Sequence, residues 1–244
     1  MEIVPAAVET VNGQGSSRFV LACEHASNFI PASYERLGLP EAELSRHIAW
    51  DIGAGVVARA LAAMIDAPLF LAGYSRLLID CNRPIGSATS IPVVSETTSI
   101  PGNIGITMEE AKARASHYYW PFQNAVSAHL DQRKAAGRAT IVLGIHSFTP
   151  VFKGFARPWH AGILFRKSAE FGHSLVDALQ SPGLNVVANE PYRIGDDGDY
   201  TVPVHGEGRG LDVALAEIRQ DLIADDKGAQ EWAGRLRDAL LKFS

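Results

Sequence analysis

The sequence is poor in sulfur, in long apolar runs and in positive charge. Its two cysteines, Cys23 and Cys81, are too few for a disulfide framework and are typical of free thiols in a reducing compartment. No apolar run reaches the roughly 18 to 20 residues that a membrane span requires. Because 27 acidic residues outnumber 22 Lys and Arg and give a net charge of -5, nucleic acid is not an expected partner.

The remaining composition is that of an ordinary globular protein. Of the 244 residues, 47% are hydrophobic and 20% are charged, which provides apolar material for one substantial core. Residues 1–17 lack the basic segment and apolar stretch of a secretory signal, so we expect a cytoplasmic, water-soluble protein. No repeat, low-complexity tract or linker divides the sequence, and we expect residues 1–244 to form a single domain.

Short apolar runs alternate with stretches of helical periodicity. The runs typical of buried strands lie at 18–22, 68–72, 77–80, 140–145, 161–165, 185–188 and 212–218. Apolar residues at helical spacing mark 41–65, 168–179 and 228–241. A further helix is expected to begin at Thr107, where Glu110 completes a capping box, and to run towards Gly137 with a kink or break at Pro121. The alternation predicts an α/β fold with a mixed, mainly parallel sheet flanked by helices.

Two long segments rich in Gly, Pro and small polar residues interrupt this order, at 84–107 and 189–210. Long ordered loops are often functional lids, and tolerated surface insertion is the alternative. His205, in the second of these segments, is expected to face solvent.

Two histidines stand at the ends of predicted strands, where open α/β sheets collect ligands and catalytic groups. His25 lies just beyond the first predicted strand, and His146 directly follows the fourth. Two imidazoles placed there could bind one metal ion, and a catalytic zinc site needs a third ligand and an open position. The candidates for that ligand are Asp51 and Glu24. Since Asp51 falls on an otherwise apolar stretch of predicted helix, its charge requires a metal ion or an arginine partner.

A second set of candidate functional residues, polar or charged, lies around two other predicted strands. Arg76 opens a short predicted strand, and Asn82 with Arg83 closes it. Guanidinium groups match carboxylates in a two-bond fork, so these arginines could hold an acidic substrate or form surface salt bridges. Glu217 lies amid apolar residues, and a buried carboxyl with a raised pKa suits a general base. A structural pairing with Arg219 is the alternative for Glu217.

Five segments of the chain together resemble a known family. They are 23–28 (CEHASN), 49–54 (AWDIGA), 74–84 (YSRLLIDCNRP), 144–147 (GIHS) and 214–222 (ALAEIRQDL). On these segments the sequence, from about residue 19 to residue 222, resembles the N-formylglutamate amidohydrolase family, which is similar in fold to zinc carboxypeptidases and aspartoacylases. The resemblance implies hydrolysis of the N-acyl amide of an acidic amino acid, a small molecule such as N-formylglutamate, to formate and the amino acid.

The resemblance also implies roles for individual residues. It implies a zinc ion with three protein ligands: His25 and His146 match the zinc histidines, and Asp51 is the first choice for the third. It implies that Glu217 is the catalytic glutamate, that Arg76 polarises the scissile carbonyl, and that Asn82 and Arg83 bind the substrate carboxylate. Asn28 stands where the carboxypeptidase group has a ligand Glu, so the third ligand remains open between Asp51 and Glu24.

Two other functions are compatible with the sequence. The chain could be a catalytically inactive relative that retains metal or ligand binding, because Asn28 departs from the carboxypeptidase pattern. It could also be a thiol hydrolase that uses Cys23 with His146, because Cys23 ends a predicted strand beside a histidine. Bound metal without amidase activity would favour the first alternative, and loss of activity in Cys23→Ala would favour the second.

Overall fold

The computed structural model describes residues 4–195 and 198–243. The strands are β1 Val8–Val11, β2 Phe19–Cys23, β3 Leu69–Ala72, β4 Val94–Ser95, β5 Thr98–Ser99, β6 Ile141–Phe148, β7 Val151–Phe152, β8 Phe155–Ala156, β9 Ala161–Leu164, β10 Val186–Ala188 and β11 Asp212–Arg219. The α-helices are α1 Glu41–Leu44, α2 Ala54–Met64, α3 Met108–Arg114, α4 Trp120–Ala135, α5 Ala169–Leu179 and α6 Asp226–Leu240.

Seven of these strands form one sheet in the order β1-β3-β2-β6-β11-β9-β10. The pairings β3/β2, β2/β6, β6/β11 and β9/β10 are parallel, and β1/β3 and β11/β9 are antiparallel. The predicted α/β class with a mixed, mainly parallel sheet is therefore confirmed. The carboxyl ends of β2, β6 and β11 meet at one edge, because these three strands are adjacent and parallel.

Side-chain alternation divides the core between the two faces of the sheet. In β2, Phe19, Leu21 and Cys23 pack with α2, α5 and α6, whereas Val20 and Ala22 pack with α4 on the opposite face. Every residue of β2 is buried, as expected for a central strand covered on both sides. Both faces of the sheet thus contribute to stability.

The helix that begins at Thr107 follows the sequence prediction at its start. The Thr107 hydroxyl accepts a hydrogen bond from the Glu110 backbone N–H at 3.1 Å, which satisfies one of the free donors of the first turn. The helix continues from α3 through a π-helical turn at Ala115–Tyr119 into α4. Pro121 stands in the first turn of α4, directly after the π-helical turn, so the predicted irregularity is present.

Two sequence predictions about the fold are wrong, and one strand was not predicted. Residues 77–80 form no strand, because a turn closed by the bond from Leu78 N–H to Ser75 O at 3.0 Å is followed by irregular backbone. The helix predicted at 41–65 is interrupted between α1 and α2. The sequence also failed to predict β1, which pairs antiparallel with β3 at the edge of the sheet.

No helix in the described ranges combines the length and the apolarity needed to cross a bilayer.

Candidate active site

His146 and Glu217 extend from neighbouring strands at the same level. The register of β6 and β11 pairs these two residues directly. Both lie on the face that carries α4, because the alternate residues before Glu217 on β11 belong to the core on that side. His25 comes two residues after the end of β2, so the parallel strands bring it to the same edge of the sheet. The predicted convergence of His25 and His146 is present in the structure.

Asp51 approaches the two histidines from a turn, not from a helix as the sequence predicted. It lies between the end of α1 and the start of α2. Its backbone N–H donates to the His25 carbonyl oxygen at 2.9 Å, and its own carbonyl accepts from Ala54 N–H at 3.2 Å. These two bonds fix Asp51 between the residue after β2 and the first turn of α2.

The three side chains form a compact cluster. The Asp51 Oδ2 atom lies 2.9 Å from His146 Nδ1 and 3.3 Å from His25 Nδ1. One ligand atom from each residue lies within 4.8 Å of the other two, and all three residues are buried. The cluster could therefore hold a metal ion. Glu24, the other candidate for third ligand, is not in it.

Each imidazole also has a carboxylate beside its second ring nitrogen. His25 Nε2 lies 2.7 Å from Asp80 Oδ1. His146 Nε2 lies 3.0 Å from Glu24 Oε2, a close ion-pair distance without hydrogen-bond alignment. The other oxygen of Glu24 accepts a hydrogen bond from the Thr201 hydroxyl. Such carboxylates orient the rings of metal-binding histidines and keep the inward nitrogen available.

The carboxylates dominate the protonation of the two imidazoles. Burial lowers the pKa of His146, but Glu24 and Asp51 raise it by more, so the net shift is strongly upward. Burial and Arg76 lower the pKa of His25, and Asp80 and Asp51 reverse the sign. A proton and a metal ion compete for the same ring nitrogens. A dication would satisfy the negative surroundings that otherwise favour the protons.

Arg76 lies next to this cluster but does not open a strand, as the sequence predicted; it lies in a tight turn. Its guanidinium donates to Asp80 Oδ2 at 2.8 and 3.1 Å and to Asp51 Oδ1 at 3.3 Å. Asp51 thus has the arginine partner that its buried charge requires as well as the two histidines. These contacts use three of the five N–H donors of an arginine. The two remaining N–H donors of Arg76 can face the neighbouring cavity.

Glu217 is the buried carboxyl that the sequence predicted. It is 6% exposed, and its Oε2 has no hydrogen-bond partner within the part of the chain that the structure describes. Burial raises its pKa to about 7, although the positive charges of His146, His25 and Arg76 oppose the shift. A carboxyl that exchanges its proton near neutral pH is suited to acid–base chemistry.

Asn82 and Arg83 are engaged with the segment at 198–201. The Asn82 amide donates to Asp199 Oδ1 at 2.8 Å, and its oxygen accepts from the N–H groups of Tyr200 and Thr201, both at 3.0 Å. Arg83 lies with its Nη1 atom 3.9 Å from Asp199 Oδ1 and bonds to the carbonyl of Gly198. Asn82 therefore holds the loop, with its amide oxygen and one of its two amide N–H groups engaged.

A cavity of ≈ 660 Å³ lies over these residues. Its wall includes the cluster of His25, Asp51 and His146, together with the residues Arg76, Asp80, Asn82, Arg83, Glu217, His47, Glu96, Tyr192, Arg193 and Asp199. His47, Glu96, Tyr192, Arg193 and Asp199 are not recognisable as site residues from the sequence, because most of them lie in segments that read only as long loops. Asp80 was identifiable as the i+4 neighbour of Arg76, but its assignment to a strand obscured the contact.

The other sequence candidates lie away from the cavity. Cys23 is fully buried in the core, and burial raises the pKa of its thiol well above the ordinary value, which disfavours the nucleophilic thiolate. His205 is also fully buried, with Nε2 2.7 Å from Gln123 Oε1, so the expected solvent-facing position is wrong. Asn28 donates to the Leu44 carbonyl at the end of α1 and takes no part in the cluster of His25, Asp51 and His146.

Comparisons with known proteins identify the family of the chain. The sequence profile of N-formylglutamate amidohydrolase matches residues 17–224, and the chain belongs to that family. A sequence search of curated proteins finds no match.

Solved structures show a similar fold. A gene product of Agrobacterium tumefaciens is 39% identical and has a TM-score of 0.94, over 98% of this chain and 94% of that one. The N-formylglutamate amidohydrolase of Ralstonia eutropha JMP134 is 17% identical and has a TM-score of 0.69, over 99% of this chain and 97% of that one. At that identity, the second similarity supports the fold alone.

Proposed function

We propose that the protein is a zinc-dependent amidohydrolase that cleaves the N-acyl amide of an acidic amino acid. The first substrate to test is N-formylglutamate, with formate and glutamate as products. One observation carries the proposal: two imidazoles and a carboxylate from distant parts of the chain converge on the wall of a cavity that also holds a buried glutamate. Membership of the amidohydrolase family supports the reaction class.

The residues fit a zinc ion. Two imidazoles and one carboxylate are a donor set of catalytic zinc sites, which keep a further position open. His25, Asp51 and His146 would hold the ion, while Asp80 and Glu24 orient the two rings from outside. When bound, the ion would supply Lewis acidity, which polarises the amide carbonyl and makes a water molecule easier to deprotonate.

Glu217 would move the proton. Its free Oε2 would accept a proton from the attacking water as the carbon–oxygen bond forms. It would then deliver that proton to the amide nitrogen as the carbon–nitrogen bond breaks, so that the amine leaves neutral. The raised pKa of Glu217 suits both transfers, because the carboxylate and the acid are then both accessible near neutral pH.

Two arginines would hold the charges of the substrate. The remaining N–H donors of Arg76 would stabilise the developing oxyanion, in a geometry fixed beforehand by Asp80 and Asp51. Arg83 would bind the α-carboxylate at the cavity wall. We assign Asn82 a supporting role, because its amide already fixes residues 199–201.

The test combines metal analysis with activity. Purified protein is assayed for zinc content and for formate release from N-formylglutamate, before and after chelation and after zinc is restored. We expect about one zinc per chain, activity that chelation removes and zinc restores, and loss of both properties in His146→Ala. Cys23→Ala is the control and should keep its activity.

Two results would contradict the proposal. Activity that survives complete metal removal would exclude the metal. Bound zinc with no hydrolysis of N-formyl or N-acetyl amino acids would instead indicate an inactive relative that only binds its ligand.

A further inference from the structure

The arginines that line the cavity differ in whether they already have partners. Arg76 is bound to two carboxylates, and Arg83 lies against Asp199 and the Gly198 carbonyl. Arg193 lines the same cavity and is exposed, yet in the described ranges, 4–195 and 198–243, it has no hydrogen-bond or ion-pair partner. Its charge is therefore available to a ligand as far as the described residues go, because none of them pairs with it.

The segment that carries Arg193 packs against the reaction centre. We name residues 190–193 the strap. The carbonyl oxygen of Glu190 lies only 1.6 Å from the place that a Cβ atom would occupy on Gly162. The strap therefore packs directly against the backbone of Gly162, which any side chain at that position would prevent. Gly162 pairs with Glu217 in the register of β9 and β11. The strap thus crosses the sheet beside the glutamate of the proposed reaction.

A buried arginine anchors the middle of the strap. The Tyr192 hydroxyl accepts a hydrogen bond from Arg157 Nη1 at 3.1 Å. The Arg157 guanidinium also lies 4.9 Å from the ring centroid of Tyr192 and 4.7 Å from that of Phe152. Because Arg157 is itself buried, it fixes Tyr192 and thereby the start of Arg193, the next residue. The Arg193 side chain therefore extends from a backbone position that the contacts of Tyr192 fix.

We propose that Arg193 is the specificity-determining residue of this site and binds the side-chain carboxylate of an acidic N-acyl amino acid. The inference rests on the proposed function, in which Arg83 binds the α-carboxylate and leaves a second carboxylate unaccounted for. A guanidinium can grip that carboxylate with two parallel N–H bonds. The strap would hold the acidic side chain at one wall while the amide lies near Glu217.

The experiment compares two substrates of the same length that differ in the second carboxylate, N-formylglutamate and N-formylglutamine. In Arg193→Gln we expect the KM for N-formylglutamate to rise about 10-fold to 100-fold, the range of a lost hydrogen bond to a charged group. The KM for N-formylglutamine and kcat for both substrates should stay close to those of the parent. Arg36→Gln is the matched control, because Arg36 is exposed and lies outside the cavity wall.

Binding is measured separately from turnover by calorimetry with N-formylglutamate, in zinc-loaded protein that carries Glu217→Gln. Weaker binding on adding Arg193→Gln supports the inference, even if the parent protein proves unable to cleave the amide and the proposed function fails. Equal binding with and without Arg193→Gln overturns the inference, whatever the activity. An equal rise of KM for both substrates overturns it as well, since the charge would then not be recognised. If the protein does not bind N-formylglutamate at all, both proposals are wrong.

Discussion

Replacing Glu217 by Gln tests the proton transfer most directly. The substitution keeps the shape of the side chain and removes its ability to accept a proton. Glu217 lies outside the three-residue metal cluster, so zinc content should remain at that of the parent. We expect kcat to fall by about 10²-fold to 10⁴-fold, the ordinary contribution of a general base. That loss corresponds to about 3 to 5 kcal/mol of activation free energy.

The same variant should gain stability at alkaline pH. Burial raises the pKa of Glu217 from 4.5 to about 7 in the folded protein, so ionisation of this carboxyl opposes folding. The penalty is absent below the unfolded-state value, grows between pH 4.5 and about 7, and is complete above that. In metal-free protein at pH 8, Glu217→Gln should therefore raise the free energy of unfolding by up to about 3 kcal/mol. At pH 4 the two proteins should unfold alike.

The assays are formate release, zinc analysis and denaturant unfolding at the two pH values. Asp212→Asn is the matched control, because it makes the same chemical change at an exposed position of the same strand. A Glu217→Gln protein that retains zinc and the turnover of the parent would refute the role of general base. Loss of zinc in that variant would show that Glu217 is itself a ligand.

Three further substitutions test the supporting structure. Asp80→Asn should lower zinc affinity about 10-fold to 100-fold in a chelator competition assay, because the carboxylate next to His25 Nε2 is lost; unchanged affinity would remove Asp80 from the site. Leu143→Ala should cost about 2 to 5 kcal/mol in denaturant unfolding, since Leu143 is fully buried in the core. A loss below 1 kcal/mol would mean that the core there repacks. Thr107→Ala should cost about 1 kcal/mol through loss of the cap on Glu110 N–H, and a matching loss in Thr107→Ser would argue against the hydroxyl as its cause.

The sequence predicts the central sheet well and the edge poorly. The central strands β2 and β6 are buried at every position and mostly apolar, because both faces of the sheet are covered. The edge strand β1 is exposed or only partly buried along its length, so its sequence, Val-Glu-Thr-Val, carries no comparable signal. The apolar run 77–80 has the composition of a strand, yet its Leu77 and Leu78 are buried in a separate cluster beneath loops. Burial in that cluster explains why residues 77–80 are apolar although they form no strand.

The candidate site was predictable in its residue types but not in its contacts. His25, His146 and Glu217 were identifiable because polar residues interrupt apolar strands at their ends. The position of Asp51 in a turn was not, since the helical pattern around it continues on both sides and the break depends on its bond to the His25 backbone. The engagement of Asn82 with residues 199–201 joins segments 117 to 119 positions apart. Pairings of that separation leave no local pattern.

The hydrogen bond between Asp51 and His25, just after β2, has a consequence for the zinc ion that we propose at this site. Small zinc domains fold only when the ion arrives, because the ion supplies their folding free energy. Here backbone bonds and two cores already place the donors, so the apoprotein should keep its shape. Zinc would then be an exchangeable component, lost and regained by one folded chain, and the active fraction would follow the supply of the ion around it.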